Sequence, residues 1–99
     1  MQYLTPAPGY KKTLILHRRE EELRHALRHG EPSSKLAKTA QRVRTARLQR
    51  IKALQSALAD RHPHDPSPEH QFAELACEAE LWEQRSAEEI IEQYRREKA

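Results

Sequence analysis

The sequence predicts an all-α fold, a three-helix bundle built on an antiparallel helical hairpin, and three observations support this. Among 99 residues there are only two glycines and 5 % aromatic residues, a composition typical of long helices rather than of sheets with tight turns. Two stripes of mostly apolar residues have helical spacing and align antiparallel in one constant register. The turn required by that register falls in a segment with three prolines, so two independent signals agree.

Seven facing pairs define the register of the hairpin. In each pair the two residue numbers add up to 130. The pairs are Leu36 with Tyr94, Ala40 with Ile90, Val43 with Ala87, Arg47 with Glu83, Ile51 with Ala79, Leu54 with Ala76, and Leu58 with Phe72.

An extended arm is expected before the helices. Residues 1–10 contain Pro6, Pro8 and Gly9, and proline removes a backbone donor and disfavours helical geometry in the residue before it. We therefore expect a proline-containing arm over residues 1–10 and a single helical domain over residues 11–99. A chain of this size buries only about two-thirds of its unfolded surface, so a large enclosed active site is not expected.

The first predicted helix covers about residues 12–29. Leu16, Leu23 and Leu27 form its apolar stripe, and Gly30 followed by Pro32 is a typical helix stop. This shorter helix is expected to pack on the hairpin, in a groove formed by the apolar side chains that lie beside the main stripes, which are Leu48, Ala73, Cys77 and Ile91.

The two hairpin helices are expected over about residues 34–61 and 68–97. Ser33 or Ser34 can cap the first of them, while Ser67 and Pro68 suit the cap and first position of the second. The residues from Ser86 to Glu89 also match a capping box, which would break the last helix in two. The apolar stripe keeps its phase through Ser86, which favours one continuous helix.

Arg47 and Glu83 are the only charged residues within the two stripes, and they fall in the same pair. An unpaired buried ion loses several kcal/mol of hydration, so we expect a structural ion pair that fixes the register of the hairpin. The alternative is a polar ligand site inside the bundle.

Charge is strongly segregated along the chain and suggests a first function. Residues 33–61 carry eight lysines and arginines against one acid, whereas residues 65–99 carry ten acids against four cations. A cationic face about one helix long suits a phosphate backbone, RNA or DNA, and the chain has no motif for reading bases. The expected nucleic-acid-binding residues are Lys35, Lys38, Arg42, Arg50 and Lys52.

A protein–protein role is the alternative. The acidic third helix can bind a basic surface of another protein. The basic second helix can bind an acidic protein surface instead of nucleic acid. The acidic and basic faces of separate copies can also bind each other and form a homo-oligomer. The residues expected at such an interface are Leu81, Trp82, Glu78, Glu88 and Glu92.

Catalysis, metal binding and cofactors are not expected. The chain has no glycine-rich phosphate loop, nucleophile elbow or HExxH motif, and its single cysteine, Cys77, is expected to be a small packed side chain. His25 and His29 have a spacing compatible with metal ligands but no third ligand at a fixed spacing, so surface histidines are expected. No segment suits a membrane span or a signal peptide, and we expect a cytoplasmic protein that does not bind membranes.

Overall fold

The computed structural model describes residues 9–61 and 69–97, which form four helices and no strand. They are α1 (Tyr10–Arg28), α2 (Ser33–Arg61), α3 (Glu69–Gln84) and α4 (Ala87–Arg96). The all-helical prediction is confirmed, whereas the count of three helices is wrong. Most of the expected arm lies outside the described residues, and α1 begins at Tyr10, two residues earlier than expected. In the described ranges, no helix is long and apolar enough to cross a bilayer.

The predicted continuous helix over residues 68–97 is divided at Arg85 and Ser86. Ser86 has an extended backbone and its Oγ accepts a hydrogen bond from the amide of Glu89 at 3.2 Å, so it caps α4. On the other side of the break, the Arg44 side chain donates from Nε to the carbonyl of Trp82 at 3.0 Å and from Nη2 to that of Glu83 at 2.6 Å. The last carbonyls of α3 thereby accept hydrogen bonds from a donor on α2 instead of from the amides of a continuing helix.

The end of α1 follows the glycine signal in the sequence. Gly30 has φ +62°, which favours glycine, and its amide donates to the carbonyl of Leu27 at 3.3 Å. The amide of Glu31 donates to the carbonyl of Ala26 at 3.1 Å, which completes a Schellman motif. α2 starts directly afterwards at Ser33, and the carbonyl of Pro32 accepts from the amide of Leu36.

The main core lies between α1, α2 and α4, with one residue from α3. Leu23, Val43, Ile90 and Tyr94 are almost completely buried, and Trp82 of α3 is 5 % exposed. In the described chain, the backbone of α1 packs closely on α2 and α4 but not on α3, whereas the backbone of α3 packs closely on α2 alone. These contacts give the molecule an elongated form of 49 × 38 × 23 Å.

The expected docking groove for the first helix is therefore only partly correct. Leu48 and Ile91 do pack at the edge of the core, but Ala73 and Cys77 are exposed on the outer side of α3. The break at Ser86 explains the difference, because it lets α4 pack on α1 while the backbone of α3 packs on α2 alone. Cys77 is thus an exposed thiol and not the packed side chain that the sequence predicted.

Candidate nucleic-acid interface

A buried polar cluster at the centre of the molecule joins all four helices. Arg47 of α2 lies 3.4 Å from the carboxylate of Glu20 on α1 and 3.6 Å from that of Glu78 on α3. Its guanidinium carbon lies 4.4 Å from the ring centre of Trp82, a cation–π contact. Tyr94 of α4 donates its hydroxyl to the same Glu20 carboxylate. The cluster fixes the rotation of α2, and hence which of its cations face solvent.

The predicted ion pair between Arg47 and Glu83 is wrong. Glu83 is exposed in the last turn of α3, and its backbone carbonyl, not its carboxylate, contacts α2. Trp82 takes the inward position beside Arg47, and Glu20 and Glu78 supply the negative charge. Arg47 is inward-facing and paired, as its place in the apolar stripe required, but with different partners.

Tyr94 is the one buried phenol of this cluster. Burial together with its hydrogen bond to Glu20 raises the pKa of Tyr94 to about 12, although the nearby Arg47 acts in the opposite direction. The neutral hydroxyl is the form that can donate to the Glu20 carboxylate. Tyr94 and Arg47 are therefore two donors that share one buried acceptor residue.

The structure separates the five predicted nucleic-acid-binding residues into two groups. Lys35, Lys38 and Arg42 are exposed along one side of α2. Lys52 is also exposed, but it lines a different groove, between α2 and α3. Arg50 is half-buried and donates from Nε to the hydroxyl of Thr13 on α1 at 2.8 Å, so it ties two helices together and is not a free surface cation.

A groove between α1 and α2 extends the basic side of α2 onto the first helix. It has a volume of about 620 Å³ and is bordered by Lys35, Lys38 and Arg42 on α2 and by Arg18 and Arg28 on α1. Arg18 and Arg28 are not among the binding residues that the sequence predicts. Both are exposed. Their positions outside the apolar stripe of Leu16, Leu23 and Leu27 are the sequence signal that could have identified them as surface cations.

The carboxylates at this groove are already engaged by nearby cations. Three ion pairs account for them: Glu21 with Arg24 at 2.7 Å, Glu22 with Arg19 at 3.2 Å, and Glu31 with Lys35 at 3.8 Å. No carboxylate of the described side chains pairs with the remaining four cations at the groove. We define the basic face as these four residues, Arg18, Arg28, Lys38 and Arg42.

The residues predicted for a protein interface are also divided. Trp82 is buried and is flanked by the guanidinium groups of Arg47 and Arg85, which lie 4.4 and 4.6 Å from its ring centre, so its expected exposure is wrong. Glu78 is half-buried against Arg47. Leu81, Glu88 and Glu92 are exposed, the first on α3 and the other two on α4.

Two histidines at the C-terminal end of α1 lie together on the surface. His25 and His29 are exposed and their ring centres are 4.1 Å apart. In residues 9–61 and 69–97, no group of three histidine, cysteine or acidic side chains is placed to hold a metal ion.

Comparisons with protein-family models, with curated proteins and with solved structures gave no match. Function must therefore be inferred from the surfaces. The basic face presents three guanidinium groups and one ammonium group, which are donors of hydrogen bonds and positive charge. Arginine in particular offers two parallel donors that match two oxygens of a phosphate.

Proposed function

We propose that the chain is a non-catalytic helical module of the cytoplasm that binds nucleic acid, RNA or DNA, through the basic face. The observation that supports this is the set of four cations on two packed helices that have no carboxylate partner among the described side chains. The adjacent acids are neutralised by other cations, so the positive charge of this face is not cancelled locally. The presence of α1 residues widens the face beyond the single helix that the sequence suggested.

The physical basis of such binding is the release of counterions. Each phosphate neutralised by a lysine or arginine frees condensed cations, so affinity falls as salt rises, with a slope near −0.9 per contact on duplex DNA. Four contacts would give a slope of about −3 to −4 in a plot of log affinity against log salt. Binding should be micromolar or weaker at physiological salt, as for other non-specific contacts with the backbone.

Little sequence selectivity is expected from this face. Phosphates carry no sequence information directly, and bases are read by groups that enter a groove or stack on unpaired bases. In the described part of the chain, no phenylalanine, tyrosine or tryptophan borders the groove that carries the basic face, and His25 is the one aromatic side chain there. The long cationic side chains of the basic face instead suit the repeating phosphates of any sequence.

The experiment compares two double charge reversals that change the net charge equally. K38E/R42E removes half of the basic face, whereas R95E/R96E reverses two exposed cations on α4, away from the α1–α2 groove. Binding of labelled duplex DNA and RNA is measured by fluorescence anisotropy at several salt concentrations. A third variant, K52E, tests the predicted contact at the α2–α3 groove.

We expect K38E/R42E to lower affinity at least tenfold and to reduce the salt slope by about 2, because two phosphate contacts are lost. R95E/R96E and K52E should each lose less than threefold, from the general effect of net charge. Equal losses in all the variants would mean that net charge alone drives binding, and would contradict the proposal. Absence of binding by the unaltered protein at low salt would also contradict it.

A protein contact through α3 is the second candidate, and one observation favours it. Leu81 is 57 % exposed on a helix that carries glutamates and no lysine or arginine. The buried position of Trp82 removes the larger of the two apolar anchors expected there. The remaining apolar surface around Leu81 is small. A partner for it is expected to present a surface of similar size that carries positive charge.

A further inference from the structure

The described chain exposes four large apolar side chains, and they fall into two groups with opposite charge around them. Tyr10, Leu14 and Ile15 on α1 are 49 %, 50 % and 37 % exposed, and Leu81 on α3 is the fourth. Scattered apolar residues are ordinary on a protein surface, whereas a cluster of large ones is typical of a contact surface. The cluster on α1 is therefore the first half of a candidate interface.

The α1 patch, defined as Tyr10, Leu14 and Ile15, lies in basic surroundings. Lys11 and Arg18 are exposed, and they precede and follow Leu14 by three and four residues. Residues with this spacing lie on the same face of a helix. Neither cation pairs with a carboxylate of the described residues. A partner for this patch should combine an apolar surface with negative charge.

The α3 patch, defined as Ala73, Cys77 and Leu81, has that chemistry. Its three residues are spaced four apart and all are exposed on the outer side of α3. The exposed carboxylates of Glu74 and Glu80 flank this apolar line on its two sides. α3 contains no lysine or arginine, and the one cationic-type side chain beside these carboxylates within the helix is His70, whose Nε2 lies 3.0 Å from Glu74.

We propose that the α1 patch of one copy docks on the α3 patch of a second copy. In the described residues, no Cα atom of α1 lies within 8 Å of a Cα atom of α3, and the residues of both patches are exposed, so the two patches do not cover each other within one molecule. Every copy carries both patches. Each patch is apolar, and the cations beside the α1 patch are opposite in charge to the carboxylates beside the α3 patch. Because the two surfaces differ, the contact runs head to tail and extends into chains of molecules. The α3 patch lies outside the basic face, whereas Arg18 borders both the basic face and the α1 patch, so only variants of the α3 patch leave the basic face unaltered.

The expected contact is weak. Each patch covers about two turns of one helix, which is well below the roughly 800 Å² per partner of a stable complex. Self-association should therefore rise with protein concentration. It should also fall as salt rises, because the flanking charges are exposed and screened.

The test uses two variants that each remove one patch and keep the helices intact. Y10Q/L14Q alters the α1 patch and C77Q/L81Q alters the α3 patch, with glutamine as a good helix former on exposed positions. Mass is measured by light scattering after size exclusion over a range of concentrations, with reductant present to prevent disulfides through Cys77. Circular dichroism checks that the helix content is unchanged.

The average mass of the unaltered protein should rise with concentration above the monomer value of 11.6 kDa, while each variant alone stays monomeric. An equimolar mixture of the two variants should reach twice the monomer mass and no more, because each copy then has one intact patch. A monomeric unaltered protein at every concentration would overturn the proposal. So would a mixture that remains monomeric. A variant that still associates on its own would also overturn it, because that would indicate a contact of one patch with the same patch of another copy. Nucleic-acid titration of C77Q/L81Q should match the unaltered protein, which keeps the two proposals separable.

Discussion

Arg47 shows how a single inward-facing, half-buried charge organises this molecule. Its guanidinium contacts Glu20 on α1, Glu78 on α3 and the ring of Trp82. Its Nε is buried without a hydrogen-bond partner in the described part of the chain, so these three contacts must offset its lost hydration. Removing only the partner of such a charge is expected to lower the free energy of unfolding more than removing the charge and its partner together.

A double-mutant cycle on Glu20 and Arg47 tests this arrangement. E20Q and R47M should each lower the free energy of unfolding by about 3 kcal/mol, since each leaves a buried polar group without its partner. The double variant should lose at least about 1 kcal/mol less than the sum of the single losses. Urea unfolding followed by circular dichroism provides the measurement.

E83Q is the matched control for this cycle. Glu83 is exposed and its carboxylate does not pair with a described cation, so its replacement should change stability by less than about 0.5 kcal/mol. Additive losses for Glu20 and Arg47, together with a large loss for E83Q, would favour the register pair that the sequence predicted.

Tyr94 predicts a loss of stability at high pH. Its pKa is about 12 in the folded protein against 10.0 for an ordinary tyrosine, so the unfolded chain releases the proton first. Its stabilising contribution is complete below pH 10 and is lost as pH rises to about 12. This difference in pKa corresponds to roughly 2–3 kcal/mol of unfolding free energy.

The control for this prediction is Y94F, which keeps the ring but cannot titrate. All other side chains are the same in both proteins, so the difference in unfolding free energy between them isolates Tyr94. That difference should shift by roughly 2–3 kcal/mol against the unaltered protein over this pH range. Parallel pH curves for the two proteins would show that Tyr94 titrates normally.

Part of the polar cluster around Arg47 could be predicted from the sequence and part could not. Arg47 was identified as an inward charge because it interrupts an apolar stripe. Glu20 also interrupts one, four residues after Leu16 and three before Leu23, but its partner Tyr94 is 74 residues away. Local spacing predicts that a residue faces inward, but it does not predict which helix it meets.

At the level of helices, the break between α3 and α4 decides which surfaces are formed. Ser86 caps α4, and Arg44 satisfies the last carbonyls of α3. The acidic first turn and basic last turn of α4 also suit the helix dipole. This short helix can then bring Ile90 and Tyr94 into the core with α1.

The capping role of Ser86 predicts a measurable loss on substitution. S86A should lower the unfolding free energy by about 1 kcal/mol, while S86D should retain most of it because aspartate also accepts the amide hydrogen bond. S56A is a matched control, since Ser56 is exposed within α2 and its replacement favours the helix slightly. If S86A and S56A behave alike, the cap contributes nothing to folding.

The sequence contained both signals for this region, and they conflicted. The apolar stripe keeps its phase through Ser86, which favoured one helix, whereas the capping box favoured two. The stripe could not decide, because residues on both sides of a break can bury their apolar faces against the same helix. Arg44 resolves the conflict through contacts between helices that no local pattern predicts.

For the molecule as a whole, burial is concentrated at one end. Leu36, Val43 and Ile90 are buried where α1, α2 and α4 meet, whereas α3 meets only α2. Leu54 and Phe72, nearer the outer ends of α2 and α3, are only half-buried. Regions with few buried apolar contacts open locally at lower free energy than the core. The outer part of the α2–α3 pair should therefore open without unfolding of the rest.

Hydrogen exchange can measure this difference between the two ends. Amides of α2 between Leu36 and Ile51 should exchange only through global unfolding, while those in the first half of α3 should exchange at least tenfold faster. L23A should lower protection in α1, α2 and α4 together, because it removes a buried side chain at a cost of about 2–5 kcal/mol. It should leave the first half of α3 unchanged, since those amides already exchange through local opening. Uniform protection across the four helices, falling equally in L23A, would mean that the α2–α3 pair and the core unfold as one unit.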